Sequence, residues 1–162
     1  MEGAFSAEES ANLWRRFMSA TYESVMLFAV VFFFGYGFSA LTQLKFNGQY
    51  SPLLVAFQIW MALVLGAYFS WFWSNGRRTL PMKTMGVKLV GPDGAALSTL
   101  RATARYGAAG AMYALSFALI AYVHKGFALT LLVPFFWALI DRQSRTLYDI
   151  VAGTRLVLAD PR

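Results

Sequence analysis

The chain has 162 residues, of which 58% are hydrophobic and 17% aromatic, and its mean hydropathy is +0.50. These values exceed those of an ordinary soluble domain of this length, and the absence of cysteine excludes disulfides and thiolate metal sites. The net charge is +6, and the basic residues border apolar segments. We therefore expect them to attract anionic lipid head groups and not nucleic acid.

Four apolar segments alternate with charged ones, which predicts an all-α polytopic membrane protein that forms a single membrane domain over residues 1–162. The predicted transmembrane segments are 17–41, 53–73, 102–123 and 127–140. Twelve of the fourteen Lys and Arg residues flank one side of these segments, and only Lys45 and Lys125 flank the other. Short basic loops remain in the cytoplasm. The pattern therefore places the N-terminal 1–16, the loop 74–101 and the tail 141–162 on the cytoplasmic face of the inner membrane.

The N-terminus is acidic and has no early basic region, so the first apolar segment is predicted to be an uncleaved anchor. Ser6 and Glu9 have the spacing of a capping box, which predicts a short interfacial helix before the first span. Asn47 and Gly48 lie in the predicted outer loop between the first two spans.

The fourth apolar segment is the weakest candidate for a regular span. Its fourteen residues cover only about 21 Å as a helix, and Pro134 removes a backbone donor from its middle. Only three residues, His124 to Gly126, separate it from the third segment, which predicts a tight helical hairpin.

An internal repeat follows each hydrophobic pair. Residues 78–90 align without gaps to residues 145–157, with six of thirteen positions identical. The repeat predicts a duplication into two parallel hairpins, related by an axis along the membrane normal. It also predicts short cytoplasmic strands at Val87–Val90 and Arg155–Leu158 that pair with each other.

Two acidic residues are candidates for chemistry. Glu23 is the acid inside an apolar segment, and a carboxylate at that depth needs protein or water around it. Asp149 follows the fourth segment, and we expect it to converge with Arg16 and Glu23 near the cytoplasmic boundary. Arg105 and Arg145 are further counter-charges. Glu23 is either a proton or cation site or a structural carboxylate, and the sequence leaves open which acid Arg16 pairs with.

Arg16, the acid at position 23 and Asp149 together resemble the pattern of the RDD family of membrane proteins. The stretches 77–90 and 145–154 also resemble that family, and the likeness extends from Trp14 to Leu158. Position 23 is Glu where the family has Asp, so the charge is kept but the reach grows by one methylene. The resemblance implies either ion transport, since sodium/proton antiport has been proposed for a member, or an adaptor role in membrane complexes.

Enzymatic chemistry is not predicted. His124 lies on the outer side, where no acidic residue is available to form a catalytic or metal-binding pair, and no cofactor motif is present. Two functions remain: an ion-coupled transporter or permeation subunit, and a non-catalytic accessory subunit of a larger complex. Beyond the lipid bilayer, the expected partners are copies of this chain or other membrane proteins.

Overall fold

The computed structural model describes residues 11–44, 51–141 and 145–159. Several sequence predictions fall outside these ranges. They are the capping box at Ser6 and Glu9, and the outer-loop residues Lys45, Asn47 and Gly48.

The first two helices form the long apolar part of the protein. Helix α1 (Leu13–Thr42) begins after Asn12, whose side chain accepts the N–H of Trp14. Helix α2 (Pro52–Trp73) begins after Ser51, which caps Leu53 N–H in the same way. Within the described ranges, these are the two helices that are both long and apolar enough to cross a membrane. Only 6% and 0% of their most apolar windows are buried, unlike the core helices of a soluble protein.

Helix α1 presents aromatic side chains outward. Phe28, Phe32 and Tyr36 follow one another at four-residue spacing, with neighbouring ring centroids 6.3 and 6.1 Å apart, and all three are exposed. On the other side, Phe38 of α1 packs edge-on against Phe57 of α2 at 5.6 Å. An apolar surface of this kind is at home among lipid chains.

Helix α4 (Thr99–Tyr122) packs closely on α2. A Cβ placed on Gly66 would lie 3.0 Å from the Tyr106 ring, and the Tyr106 hydroxyl donates to the carbonyl of Ala62 at 2.8 Å. The small residue therefore permits the contact. Although α4 has 24 residues, it is not among the membrane-capable helices, because Arg105 and its Gly, Ser and Tyr residues lower its hydropathy.

The prediction of a single helix over 127–140 is wrong. The chain there forms a 3-10 segment (Lys125–Leu131), the short α5 (Val133–Phe136) and a further 3-10 turn (Trp137–Leu139). Pro134 has no N–H to bond to the carbonyl four residues earlier, so an α-helix that ran through it would lose that hydrogen bond. The helix is broken there and restarts with proline in its first turn.

The repeated segments fold alike. Helix α3 (Leu80–Thr84) precedes strand β1 (Val87–Val90), and helix α6 (Leu147–Ala152) precedes strand β2 (Arg155–Leu158). Equivalent threonines cap the two short helices: Thr79 accepts Met82 N–H, and Thr146 accepts Asp149 N–H. Each unit then turns through a glycine with positive φ, Gly86 or Gly153.

The predicted pairing of the two strands is confirmed. β1 and β2 run antiparallel, with Leu89 opposite Leu156, which are equivalent positions of the repeat. In the repeat, Lys88 corresponds to Arg155 and Val90 corresponds to Val157. The flanking pairs, Lys88 with Val157 and Val90 with Arg155, are therefore equivalent to each other. A local two-fold axis therefore passes between the two leucines, as a duplication predicts for these units. The duplication of the preceding hairpins stays a prediction.

The buried apolar core lies at this strand pair and not among the long helices. Met82, Val87, Leu89 and Leu97 pack together there, with Trp73 at the end of α2 against them. Helix α1 is tied to the same place, because Arg15 Nη1 donates to the carbonyl of Met85 at 2.8 Å. The strand pair and its core are therefore the region to which α1, α2 and α4 are anchored.

Candidate functional site

A cavity of about 450 Å³ lies between α1, α2, α4 and α6. Its lining includes four of the five charged residues that the sequence singles out: Arg16, Glu23, Arg105 and Asp149. The rest of the lining is largely apolar. The structure thus brings both predicted acids to one cavity, but it gives them different surroundings.

Asp149 is the centre of an ion-pair cluster. Its side chain is almost fully buried, and Arg105 Nε donates to Oδ1 at 2.8 Å. The Thr146 hydroxyl and backbone N–H donate to Oδ2 at 2.7 and 3.2 Å, and the Thr154 hydroxyl donates to Oδ1 at 3.1 Å. Both carboxylate oxygens are therefore occupied by donors of the chain itself.

Arg16 joins this cluster from α1 at longer range. Its Nη1 lies 3.8 Å from Asp149 Oδ2, while its shorter bonds go to backbone carbonyls. Nε donates to Ala11 at 3.0 Å, and Nη2 donates to Leu156 of β2 at 2.8 Å. Arg16 therefore fastens the start of α1 to the strand pair as well as balancing Asp149.

Arg105 reaches Asp149 from α4 between two aromatic rings. Its guanidinium carbon lies 4.0 Å from the centre of the Trp73 ring and 4.9 Å from that of Tyr148. Stacking of this kind stabilises a guanidinium group that is only 7% exposed.

Glu23 stands apart from the arginines. The ion pairs of the described residues do not include it, and its two oxygens accept hydroxyl hydrogen bonds instead. Tyr68 of α2 donates to Oε1 at 2.7 Å, and Thr79, the cap of α3, donates to Oε2 at 2.6 Å. Glu23 is half-buried and lines the cavity. The predicted convergence of Glu23 with Asp149 therefore holds only at the level of the shared cavity.

Arg145 pairs elsewhere. Its Nε and Nη2 donate to the two carboxylate oxygens of Asp141 at 3.1 and 3.0 Å. That hydrogen bonding raises the pKa of Arg145. Arg145 is therefore held by a neighbour four residues away and not by Asp149.

Comparison with known proteins settles the family. The model of the RDD family matches residues 10–153, which is most of the chain. The chain belongs to the RDD family. No curated protein and no solved structure gives a significant match. Membership in a membrane family, together with the two apolar helices α1 and α2, makes this an integral membrane protein.

In this RDD protein, the residues that carry the family resemblance divide into two groups. Arg16 and Asp149 belong to one buried ion cluster with Arg105, whereas the acid at position 23 belongs to a separate set with Tyr68 and Thr79. Glu23 contacts Tyr68 of α2 through one oxygen and Thr79, the cap of α3, through the other.

Sequence reasoning missed the hydroxyl partners of both acids. Thr79 and Thr146 occupy the same position of the repeat, and each donates to an acid while capping its short helix. Their identity in the repeat was a signal that could have found them. Tyr68 carries no such signal, since nothing in the spacing of α2 distinguishes it from the other aromatic residues there.

The described residues bring no three His, Cys, Asp or Glu side chains together. In the described residues, Glu23 contacts the hydroxyls of Tyr68 and Thr79. Such a set suits a proton or a weakly held hard cation better than a firmly bound transition metal.

The ionisation of Asp149 makes the stability of this RDD protein depend on pH. Burial alone would raise the pKa of Asp149, but Arg105, Thr146 and Arg16 together hold that pKa below its ordinary value. The unfolded chain, with an ordinary Asp pKa of about 3.9, therefore takes up this proton first as the pH falls. The stabilisation from Asp149 is present above that pH and is lost below it.

We expect the difference in unfolding free energy between wild type and Asp149→Asn to be largest near neutral pH and to shrink as the pH falls below about 4. Protonated Asp149 has the same charge as asparagine, so the two proteins become alike in acid. Equilibrium unfolding in detergent micelles at several pH values measures the difference. A gap that stays constant down to the acid limit would contradict the role assigned to Asp149.

Proposed function

We propose that this RDD protein is a small ion-coupled transporter or permeation subunit in which Glu23 exchanges a proton or a monovalent cation. The observation that supports this most is the setting of Glu23: an acid within a membrane-capable helix, beside a cavity, held by hydroxyls and not by a guanidinium. Hydroxyl groups donate to a carboxylate and, after rotation, accept from a carboxylic acid. The site can therefore satisfy Glu23 in both protonation states.

The ion cluster supports the same proposal electrostatically. Arg16 and Arg105 carry two positive charges against the single negative charge of Asp149. This surplus charge lies in the same cavity as Glu23, and no ion pair of the described residues locks that acid. Asp149, by contrast, has its oxygens filled and is assigned a structural role.

The test is proton and sodium flux into proteoliposomes that contain wild type or Glu23→Gln. We expect flux in wild type and a fall to background in Glu23→Gln. Asp93→Asn, a change in an exposed turn, is the matched control and should retain flux. Background flux in both wild type and Glu23→Gln would remove the transport proposal.

We also propose the topology that the charge distribution favours: four membrane segments, with both termini and the loop 74–101 in the cytoplasm. The broken segment 125–139 then enters the membrane against protein and not as a free-standing helix. Single cysteines at Asn47 and Gly94 are expected to differ in labelling, since the chain has no native thiol. An impermeant thiol reagent, applied to cells with a permeabilised outer membrane, should modify the Asn47 site. Labelling at Gly94 in intact inner membranes would reverse the assignment.

A second candidate function is a non-catalytic accessory subunit or adaptor of a larger membrane protein complex. The exposed row of Phe28, Phe32 and Tyr36 on α1 favours it, because aromatic rows pack well against other transmembrane helices. This role predicts a stoichiometric partner that copurifies in mild detergent. Purification only as a homo-oligomer that conducts ions would decide for transport.

A further inference from the structure

The Arg105 guanidinium uses only part of its hydrogen-bonding capacity. Nε donates to Asp149, and the faces of the group are covered by Trp73 and Tyr148. In the described parts of the chain, no acceptor takes a hydrogen bond from Nη1 or Nη2. Arg105 is only 7% exposed and lines the cavity. It therefore presents two donors to the cavity that the chain does not itself engage.

Arg16 provides the contrast within the same cluster. Backbone carbonyls of Ala11 and Leu156 take its Nε and Nη2 hydrogens, and Nη1 faces Asp149. A fully buried guanidinium is normally surrounded by acceptors in this way, because an unmet donor away from water is costly. Among the described residues, Nη1 and Nη2 of Arg105 have no such partner and are not fully buried, so they are reachable from the cavity. The two arginines share one acid but differ in this respect, so the open donor pair belongs to Arg105.

The charge and shape of this donor pair select an anion. Within the ion cluster the two arginines exceed Asp149 by one positive charge. Glu23 lines the same cavity, but its oxygens are bonded to Tyr68 and Thr79 and not to Arg105. The planar fork of Nη1 and Nη2 matches the two oxygens of a carboxylate or phosphate group. A neutral or cationic head group would leave both the charge and the fork unmatched.

The remaining walls of the cavity are apolar. Leu27, Leu65, Phe69, Ala109 and Tyr113 line it, and its volume of about 450 Å³ falls in the range of small-molecule sites. A bare inorganic anion would cover the fork but leave these walls in contact with water. An apolar chain attached to the anion covers both.

We propose that this cavity binds an amphiphile with a single oxyanion head group, the head on Arg105 Nη1 and Nη2 and the chain along Leu27, Leu65 and Phe69. This site goes beyond the exchange assigned to Glu23 and rests on Arg105. A result against ion flux therefore leaves it standing, and a result against amphiphile binding leaves the flux proposal standing.

Binding is measured with 2-bromodecanoate, whose bromine is attached next to the carboxylate, on purified protein in a non-ionic detergent. Its bromine quenches tryptophan fluorescence, and Trp73 lies beside the site. If only the apolar chain contributed to binding, decanol and decyltrimethylammonium would displace the brominated probe as well as decanoate does. We expect decanoate to compete at concentrations at least about tenfold lower than either, because they lack the charge-assisted bonds to Arg105. Equal competition by all three would overturn the proposal.

Two glycines of α4 give a matched pair of variants. A Cβ on Gly107 or on Gly110 would meet open space, but only Gly110 lines the cavity. Gly110→Phe is expected to abolish quenching, and Gly107→Phe is expected to retain it, with equal melting temperatures of the unliganded proteins. Retained quenching in Gly110→Phe would place the probe outside the cavity and overturn the assignment.

The head-group contact has its own pair of variants. Arg105→Lys keeps a positive charge for Asp149 but loses the fork, and it should weaken decanoate binding by about tenfold or more. Arg145→Lys, whose parent side chain pairs with Asp141, should bind as wild type does. Unchanged affinity in Arg105→Lys would overturn the assignment of Arg105.

A free fatty acid and a phospholipid head group offer the same chemistry to this fork. Decyl phosphate tests the phosphate arm alongside decanoate, and nanodiscs of phosphatidylglycerol or phosphatidylcholine test the lipid. If decanoate binding is lost in phosphatidylglycerol nanodiscs but kept in phosphatidylcholine nanodiscs, the site is supported and its ligand is the anionic lipid. If decanoate binds equally in both kinds of nanodisc, the site is supported and its ligand is a free acid. Failure of both decanoate and decyl phosphate to bind overturns it.

Discussion

Asp149→Asn is expected to lower the free energy of unfolding by about 3 to 5 kcal/mol, the usual effect of removing one partner from a buried ion pair. The change leaves Arg105 and Arg16 as buried positive charges without their acid. It also weakens the capping box of α6, in which Thr146 Oγ1 accepts the Asp149 backbone N–H and the Asp149 carboxylate accepts the Thr146 backbone N–H. The measurement is equilibrium unfolding in detergent micelles at neutral pH.

Asp141→Asn is the matched control for this change. It also removes a carboxylate from an arginine, but the Arg145 side chain of that pair is 32% exposed. We expect a loss of about 1 kcal/mol or less, because water screens the remaining charge. Equal losses in the two variants would show that the Asp149 cluster is far more solvated than its contacts indicate.

Double-mutant cycles are expected to rank the partners of Asp149. Arg105→Ala and Asp149→Asn should couple strongly, since the two side chains meet at 2.8 Å. Arg16→Ala should couple to Asp149→Asn more weakly, because its distance is 3.8 Å and much of its contribution lies in two backbone hydrogen bonds. In each cycle, the second substitution restores part of the loss, since it removes the stranded charge.

The same method separates Glu23 from the cluster. Arg16→Ala and Glu23→Gln are expected to be additive within about 0.5 kcal/mol, because Glu23 is held by Tyr68 and Thr79 and not by Arg16. Rescue of Arg16→Ala by Glu23→Gln would show that Arg16 pairs with Glu23 in the membrane.

These outcomes bear on how the RDD pattern works in this chain. If the Arg of the first helix and the later Asp are structural, they hold α1, α4 and the strand pair together around one charge cluster. The acid at position 23 then belongs to a separate set, since its partners are two hydroxyls on other elements. Flux measurements on Glu23→Gln and Glu23→Asp separate charge from reach.

The sequence alone predicted the membrane class, the first two apolar segments, the strand pair and the RDD resemblance. Each of these rests on a local signal: hydrophobic length for the spans, a gapless repeat for Val87–Val90 and Arg155–Leu158, and residue order for the family. Pro134 also indicated a break in the fourth segment, but the hydrophobicity of that segment favoured one helix there. The structure has no single helix in that segment, because proline has no backbone N–H to donate.

Only the tertiary structure decided which charges meet. Arg16, Arg105 and Asp149 are far apart in the chain and come from α1, α4 and α6, so no spacing rule joins them. From the sequence, Glu23 and Asp149 were both candidates for the ion-pair partner of Arg16. Their separation follows from the placement of Tyr68 and Thr79 around one acid and of Arg105, Thr146 and Thr154 around the other. A carboxylate takes the donors that packing brings within about 3 Å, and packing is a property of the whole fold.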